Sequence, residues 1–116
     1  EGGGEDEFGA VQAEEQEVLA GYIERMCVRD EEARQEALQA LLSTAKRGDP
    51  VLLGLLMDAI ENDSPGVRAA GVLALGALAA RGDALVEGVL QELMVHDDAP
   101  AVREAATDAL VALEAA

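Results

Sequence analysis

The chain has 116 residues, half of them apolar, which is enough for one small domain and too few for two ordinary ones. Alanine, leucine and valine dominate the apolar half, with one Phe, one Tyr and no Trp, so the composition favours an all-α fold over a sheet. Acidic residues outnumber basic residues 24 to 8. The resulting net charge of −16 excludes nucleic-acid binding through charge and disfavours anionic membrane surfaces.

Apolar residues recur at helical spacing along most of the chain, after a lead-in of different character. Residues 1–9 are rich in glycine and acid and are expected to be flexible. Apolar residues three, four and seven positions apart then predict a first helix near 10–28. Pro50, Pro65 and Pro100 fall in first turns of later helices, where a missing N–H is tolerated. The five later helices are predicted near 31–47, 50–62, 65–80, 84–96 and 99–115.

The sequence Arg-Gly-Asp occurs twice between predicted helices, at residues 47–49 and 81–83. It is the integrin-recognition tripeptide, but the same residues also suit a turn between helices. Glycine adopts the left-handed conformation that follows many helices, and the aspartate after it can cap the next helix. Arginine suits the last turn of the preceding helix. Because the two copies lie at equivalent positions of a repeat, the structural interpretation is favoured over adhesion.

An internal repeat is the strongest pattern in the chain. Arg34, Arg68 and Arg103 are 34 and 35 residues apart, each follows an apolar residue, and each precedes an Ala-Leu pair by six and seven residues. Gly54 and Gly88 both follow an arginine by 20 residues. Each repeat is expected to be a hairpin of an A helix and a B helix joined by the Gly-Asp turn. Stacked hairpins of this kind bury a continuous core and form an α-solenoid.

Two segments of this repeat resemble a known family. Residues 63–68, Asp-Ser-Pro-Gly-Val-Arg, and residues 98–103, Asp-Ala-Pro-Ala-Val-Arg, are similar to the start of a HEAT-like repeat, in particular the short repeats of bilin lyases. The first repeat departs from the pattern, since it lacks the proline and has Ala33 in place of valine. The resemblance, over about residues 30–116, implies a short right-handed α-solenoid of about six helices. It also implies an Arg–Asp ladder between repeats and a scaffold function.

The repeat and the first helix together predict a single domain over residues 10–116. Its parts would be the N-terminal helix 10–28, the repeats 30–62 and 63–97, and a partial repeat 98–116. The last A helix has no B partner in this arrangement, so it either caps the solenoid or leads into further repeats. We expect a monomer at low salt, where like charges repel, or a weak dimer at high salt. A cytoplasmic location is expected, since a single cysteine excludes an internal disulfide.

No residue pattern indicates catalysis, a cofactor or a metal, and we expect a protein that is not an enzyme. His96, Asp97 and Asp98 could suggest a metal-ligand cluster, but there is no second histidine, and capping of a helix end explains these residues. Cys27 has no histidine near it in the sequence to activate a thiolate. It is therefore expected to be a small buried apolar residue rather than a reactive thiol.

The B helices are the expected binding surface, because in HEAT-like solenoids they line the concave face. The first B helix is apolar on nearly every side, which is unusual for a surface helix. Gly54 and Gly88, inside the two B helices, either allow tight helix packing, which is the favoured interpretation, or mark close contact with a partner. The residues expected to contact a partner are Leu53, Met57, Asp58, Glu61, Gln91, Glu92 and Val95.

An apolar stripe with an acidic rim predicts a protein partner that carries basic and apolar residues. The alternative is a subunit of a bilin-lyase-like or other enzyme complex, although the sequence offers no aromatic or basic pocket for a tetrapyrrole. The acidity also has a second explanation, adaptation to a cytosol of high salt, since lysine occurs once against seven arginines.

Overall fold

Six α-helices run through the part of the chain that the computed structural model describes, which is the backbone of residues 3–116 and the side chains from Glu14 onward. No strand occurs within residues 3–116, so the all-α fold class is confirmed. The helices are α1 (Gly3–Met26), α2 (Glu31–Thr44), α3 (Pro50–Ala59), α4 (Pro65–Leu78), α5 (Ala84–His96) and α6 (Pro100–Ala115).

Helix α1 begins earlier than the apolar spacing predicts. It starts at Gly3, so residues 3–9 are helical in the structure rather than a flexible lead-in, while residues 1 and 2 lie outside the described part. The sequence there contains Glu-Asp-Glu, and acidic residues near the N-terminal end of a helix interact favourably with its dipole. An apolar pattern cannot reveal these first two turns, because they contain no apolar stripe.

The turns after α2 and α4 have the geometry that their Gly-Asp sequence predicts. Gly48 and Gly82 have φ angles of +92° and +84°, in the left-handed region that glycine enters without strain. The carboxylates of Asp49 and Asp83 cap α3 and α5 by accepting hydrogen bonds from backbone N–H groups of the first turn. The structural interpretation of glycine and aspartate in both Arg-Gly-Asp sequences is therefore confirmed.

The helices stack in two layers, measuring 54 × 32 × 20 Å overall. Helices α2, α4 and α6 form one layer, in which each packs on the next, and α1, α3 and α5 form the other. Between the layers, α1 packs on α2, α3 on α4, and α5 on α6. The helices that flank a Gly-Asp turn, α2 with α3 and α4 with α5, pack little on each other.

The hairpins that pack as units are therefore not the ones that the repeat predicts. They close across the loop that precedes each repeat arginine, and the Gly-Asp turn connects one hairpin to the next. The arginines supply the physical reason, since Arg34, Arg68 and Arg103 each donate to a backbone carbonyl of the loop before their own helix. In consequence α6 does have a partner helix, α5, and it is not an unpaired end.

Equivalent positions of the sequence repeat are buried in the core. Leu41 and Leu75, seven residues after their arginines, have no solvent exposure. Their counterpart Leu110 is half-buried, because among the described residues no helix stacks beyond α6. Val102 and Leu113 of α6 are fully buried, as expected for residues that pack back on the preceding helices.

Helices α4 and α6 approach each other closely at Gly76. A Cβ atom placed there would lie 2.6 Å from the Cα, Cβ and carbonyl oxygen of Ala109. Both residues are buried, and the obstacle is backbone rather than a flexible side chain. The distance between these two helices therefore depends on glycine at position 76 and on a small residue at position 109.

Substitution of Gly76 tests this contact. Gly76→Ala should lower the free energy of unfolding by about 1–3 kcal/mol, because overpacking against the Ala109 backbone outweighs the better helix propensity of alanine. The matched control is Gly54→Ala, where a new Cβ meets no atom within 4 Å. That variant should be stabilised by up to about 1 kcal/mol. Urea denaturation measures both, and stabilisation of both variants would contradict the close approach of α4 and α6.

Candidate functional site

Arg68 joins two hairpins through the ion pair that the resemblance implies. Its Nε lies 3.1 Å from one carboxylate oxygen of Asp97, and one of its Nη atoms lies 3.2 Å from the other. The same Nη atom lies 3.2 Å from a carboxylate oxygen of Asp98, whose side chain is 94% exposed. Its second Nη atom donates to the carbonyls of Asn62 and Asp63 in its own loop. One guanidinium therefore fixes its own loop and the loop of the next hairpin.

The charge state of Asp97 depends on this contact. Burial raises the pKa of Asp97, but the hydrogen bonds from Arg68 and from the backbone N–H of Ala99 outweigh it and bring the pKa below its ordinary value of 3.8. The hydrogen bond to Asp97 in turn raises the pKa of Arg68. Both groups are therefore charged at neutral pH, and Asp97 and Asp98 are oriented towards an arginine rather than towards a metal site.

The ladder of ion pairs is incomplete at its first step. Arg34 is only 8% exposed and donates to the carbonyls of Val28 and Arg29, but its Nε has no hydrogen-bond partner among the described residues. Asn62 precedes Arg68 by six residues, just as Asp97 precedes Arg103 by six residues, so Asn62 is the repeat counterpart of Asp97. The side chain of each accepts a hydrogen bond from the backbone N–H two residues on, so both loops have the same local turn. Asn62, however, has no negative charge that could pair with an arginine.

Arg47 makes a second link between hairpins, which the sequence did not indicate. It was expected to favour the end of its own helix, but its guanidinium donates to the carbonyl of Ala79 at 2.6 Å and to that of Gly76 at 3.3 Å. The backbone N–H of Gly48 also donates to the carbonyl of Leu78, at 2.6 Å. The Gly-Asp turn after α2 therefore caps the C-terminal end of α4, so the arginine of this tripeptide is engaged within the fold.

The two other residues considered for chemistry are Cys27 and His96. Burial and the nearby carboxylate of Glu24 raise the pKa of the half-buried Cys27 thiol, which keeps it protonated at neutral pH. His96 is 68% exposed, and its Nε2 lies 3.9 Å from a carboxylate oxygen of Glu92. Among the residues with described side chains, no group of three or more His, Cys, Asp or Glu could hold a metal ion.

Helices α3 and α5, the expected B helices, stand apart, and a groove opens between α5 and the C-terminal end of α3. The groove is open to solvent and has a volume of about 420 Å³. It lies on the layer of α1, α3 and α5. In that layer α3 and α5 are separated, whereas α4 and α6 of the other layer are in close contact. The residues that line the groove are Ile60, Glu61, Ala84, Leu85, Gly88, Val89, Glu92 and Leu93.

The groove brings together part of the predicted contact set. Glu61 lines it from the turn that follows α3, and Glu92 lines it from α5. Met57 and Leu53 lie within α3, where both are half-buried against the core, and neither lines the groove. The remaining three, Asp58, Gln91 and Val95, are exposed and do not line the groove.

The sequence interpretation missed the apolar wall that α5 contributes. Leu85 is 68% exposed and Val89 is half-buried, and both line the groove. The sequence offered one signal, because Val51 and Leu85 are apolar residues at the same repeat position, 17 residues after Arg34 and Arg68. In the structure both are exposed, Val51 at 49%. An apolar residue that stays exposed in two repeats is not required by the core.

Gly54 and Gly88 do not serve helix packing, so the favoured interpretation of these residues was wrong. Both are exposed, and a Cβ added at either position would meet no atom within 4 Å. A glycine inside a helix costs about 1 kcal/mol relative to alanine, and no contact of the described residues offsets that cost here. Gly88 also lines the groove, so a residue that lowers helix stability lies at the candidate surface.

A second groove, of about 610 Å³, lies between α1 and the turn that leads into α3. Acidic side chains surround it, including Glu14, Glu15 and Asp49, and Lys46 stands among them. Its lining is more polar than that of the α3–α5 groove, and it contains none of the predicted contact residues. The α3–α5 groove is therefore the stronger candidate.

Comparison with known proteins agrees with this architecture. The family model for HEAT repeats matches residues 19–111, which is most of the chain. This chain belongs to the HEAT-repeat family. Searches of curated proteins and of solved structures gave no match. None of the described helices of this HEAT-repeat chain combines the length and apolar character needed to cross a membrane.

The link between HEAT repeats can be tested through Asp97. Asp97→Asn keeps the oxygen that caps Ala99 but loses the charge that faces Arg68, so it should lower the free energy of unfolding at pH 7 by about 1–2 kcal/mol. Because the pKa of Asp97 is lowered in the folded state, its contribution is present above pH 3.8 and is lost as pH falls through the folded-state pKa.

The pH series includes its own control. Urea denaturation should show the difference between wild type and Asp97→Asn shrinking as pH is lowered past 3.8. Asp98→Asn removes a carboxylate that is 94% exposed, and it should change stability little at any pH. Equal losses for the two variants, or a difference that grows in acid, would show that the buried pair does not link the hairpins.

Proposed function

We propose that this HEAT-repeat domain is a non-catalytic scaffold that binds a partner protein in the groove between α3 and α5. HEAT repeats are generally protein-interaction scaffolds. The observation that supports this particular surface is the groove itself, in which α5 exposes apolar side chains opposite the C-terminal end of α3. Leu85 is the most exposed large apolar residue among the described side chains, and it lines this groove.

Charge supports a partner that is basic as well as apolar. The chain carries a net charge of −16, and the groove has Glu61 on one wall and Glu92 on the other. Such a surface attracts cationic partners and repels anionic ones. The lining contains no basic side chain that could pair with the propionates of a tetrapyrrole, which favours a protein segment over a pigment.

Site-specific cross-linking tests the proposed surface. A photoreactive residue replaces either Glu92, at the groove, or Glu104, an exposed residue of α6, and the chain is irradiated in an extract of its source cells. We expect a discrete adduct from position 92 and none from position 104. Adducts of the same size and yield from both positions would contradict a partner held in the groove.

A matched pair of charge substitutions then tests the apolar contact. Leu85→Glu should abolish the adduct, while Val111→Glu on α6 should leave it unchanged. The two side chains are 68% and 65% exposed, so neither substitution is expected to disturb the core. Circular dichroism checks that both variants remain folded, and retention of the adduct by Leu85→Glu would refute the proposed site.

The explanation of the acidity can be tested separately. If the charge serves a basic partner, the domain should stay folded in dilute buffer, and addition of KCl should weaken the adduct-forming complex by screening. Thermal unfolding in increasing KCl gives the measurement. A chain that is unfolded in dilute buffer and folds only in molar KCl would indicate adaptation to high salt instead.

A further inference from the structure

Gly88 stands out because it combines a helix-disfavouring residue with an open surface. It lies within α5, nothing occupies the space that its Cβ would fill, and it belongs to the lining of the groove. The fold itself gains nothing from glycine at this position, since alanine would fit and would favour the helix. A glycine at a binding surface lets the backbone of another molecule come closer than any side chain would allow.

The groove has the dimensions of a short peptide segment. The α5 residues that line it run from Ala84 to Leu93, a rise of about 14 Å along the helix axis, which about four residues of extended chain would span. Its volume of about 420 Å³ accommodates a few side chains rather than a folded domain. Apolar atoms of Ile60, Val89 and Leu93 form its interior, and Gly88 interrupts the wall between Leu85 and Glu92.

We infer that the groove binds a short linear segment of a partner protein, with a large aliphatic side chain among Ile60, Val89 and Leu93. The segment's backbone passes over Gly88, and a lysine or arginine next to the aliphatic residue pairs with Glu61 and Glu92. This inference rests on the proposed function and specifies the chemistry of its partner. It requires a linear motif of alternating aliphatic and basic residues.

The charge of the chain argues against a second copy as the occupant. Two copies would each bring a net charge of −16, and the copy that entered the groove would meet the carboxylates of Glu61 and Glu92. Such an approach is repelled at low ionic strength. A basic segment gains from the same field, so it is the occupant that the surface favours.

Peptide binding tests the inference directly. The probe is a fluorescent heptapeptide of alternating leucine and lysine, measured by fluorescence anisotropy against the full chain. One control peptide replaces each lysine with glutamate, and another replaces each leucine with serine. We expect binding of the leucine–lysine peptide alone, weakened by salt. Substitution of both groove acids, Glu61→Gln with Glu92→Gln, should raise its Kd at least about tenfold and remove most of the salt dependence.

The two exposed glycines provide the variant and its control. Gly88→Leu should raise the Kd of the peptide at least about tenfold by blocking the approach of its backbone, while Gly54→Leu should change the Kd less than about twofold. Both variants gain helix propensity and should melt no lower than wild type, so loss of folding cannot mimic the effect.

The outcomes separate this inference from the proposed function. Unchanged binding by Gly88→Leu, equal binding of the glutamate peptide, or no binding of the leucine–lysine peptide would each overturn the inference. If the cross-linked adduct still depends on Leu85 in those cases, the proposed function stands without it. Self-association of the chain that Leu85→Glu abolishes would assign the groove to a second copy, and it would overturn the inference as well.

Discussion

The close approach of α4 and α6 determines the shape of this domain. Glycine at position 76 lets the two backbones meet at Ala109, so the layer of α2, α4 and α6 is tightly spaced at this step. Helix α3 packs on α4 and α5 packs on α6, which means that each outer helix follows its inner partner. Because the outer pair is held through two inner helices rather than by direct contact, α3 and α5 are left apart. The candidate groove is therefore a consequence of the same packing that builds the core.

Arginine side chains close the loops within hairpins and connect one hairpin to the next. Each repeat arginine closes the loop before its own helix, and Arg68 also reaches the next loop through Asp97. Arg47 adds a link of a different kind, from a turn to the C-terminal carbonyls of α4. Four of the eight basic residues, Arg34, Arg47, Arg68 and Arg103, are engaged in such contacts, so half of the positive charge serves the fold and the acidic surface is left largely uncompensated. The excess of negative charge that would attract a partner thus follows from where the arginines lie as well as from their small number.

Local features of this fold could be predicted from the sequence, and contacts between hairpins could not. Gly48 and Asp49 specify their turn through their own backbone preferences, and Leu41 and Leu75 are buried because helical spacing places them on the apolar side. The choice of hairpin partner depends on which neighbouring loop an arginine closes, and a repeat of 34 residues is compatible with either choice. The direction of Arg47 across to α4 is a tertiary contact without a local signal. In the candidate site, Glu61 and Glu92 could be predicted as part of a B-helix face, whereas the wall formed by Leu85 and Val89 required the separation of α3 and α5.

The glycines show how the same residue type can indicate opposite things within one repeat protein. Gly76 is required, because the space for a side chain is already filled by the backbone of α6. Gly54 and Gly88 are not required, because the same test finds open space. From the sequence, Gly54 and Gly88 receive the interpretation that the structure assigns to Gly76, a helical glycine that permits close packing. The distinction matters for function, because a helix position that disfavours folding without an internal contact is explained when its contact lies in another molecule. Of the two open positions, only Gly88 lies in a groove with apolar and acidic lining residues. The missing contact of Gly88 is therefore expected on the α5 side of the domain.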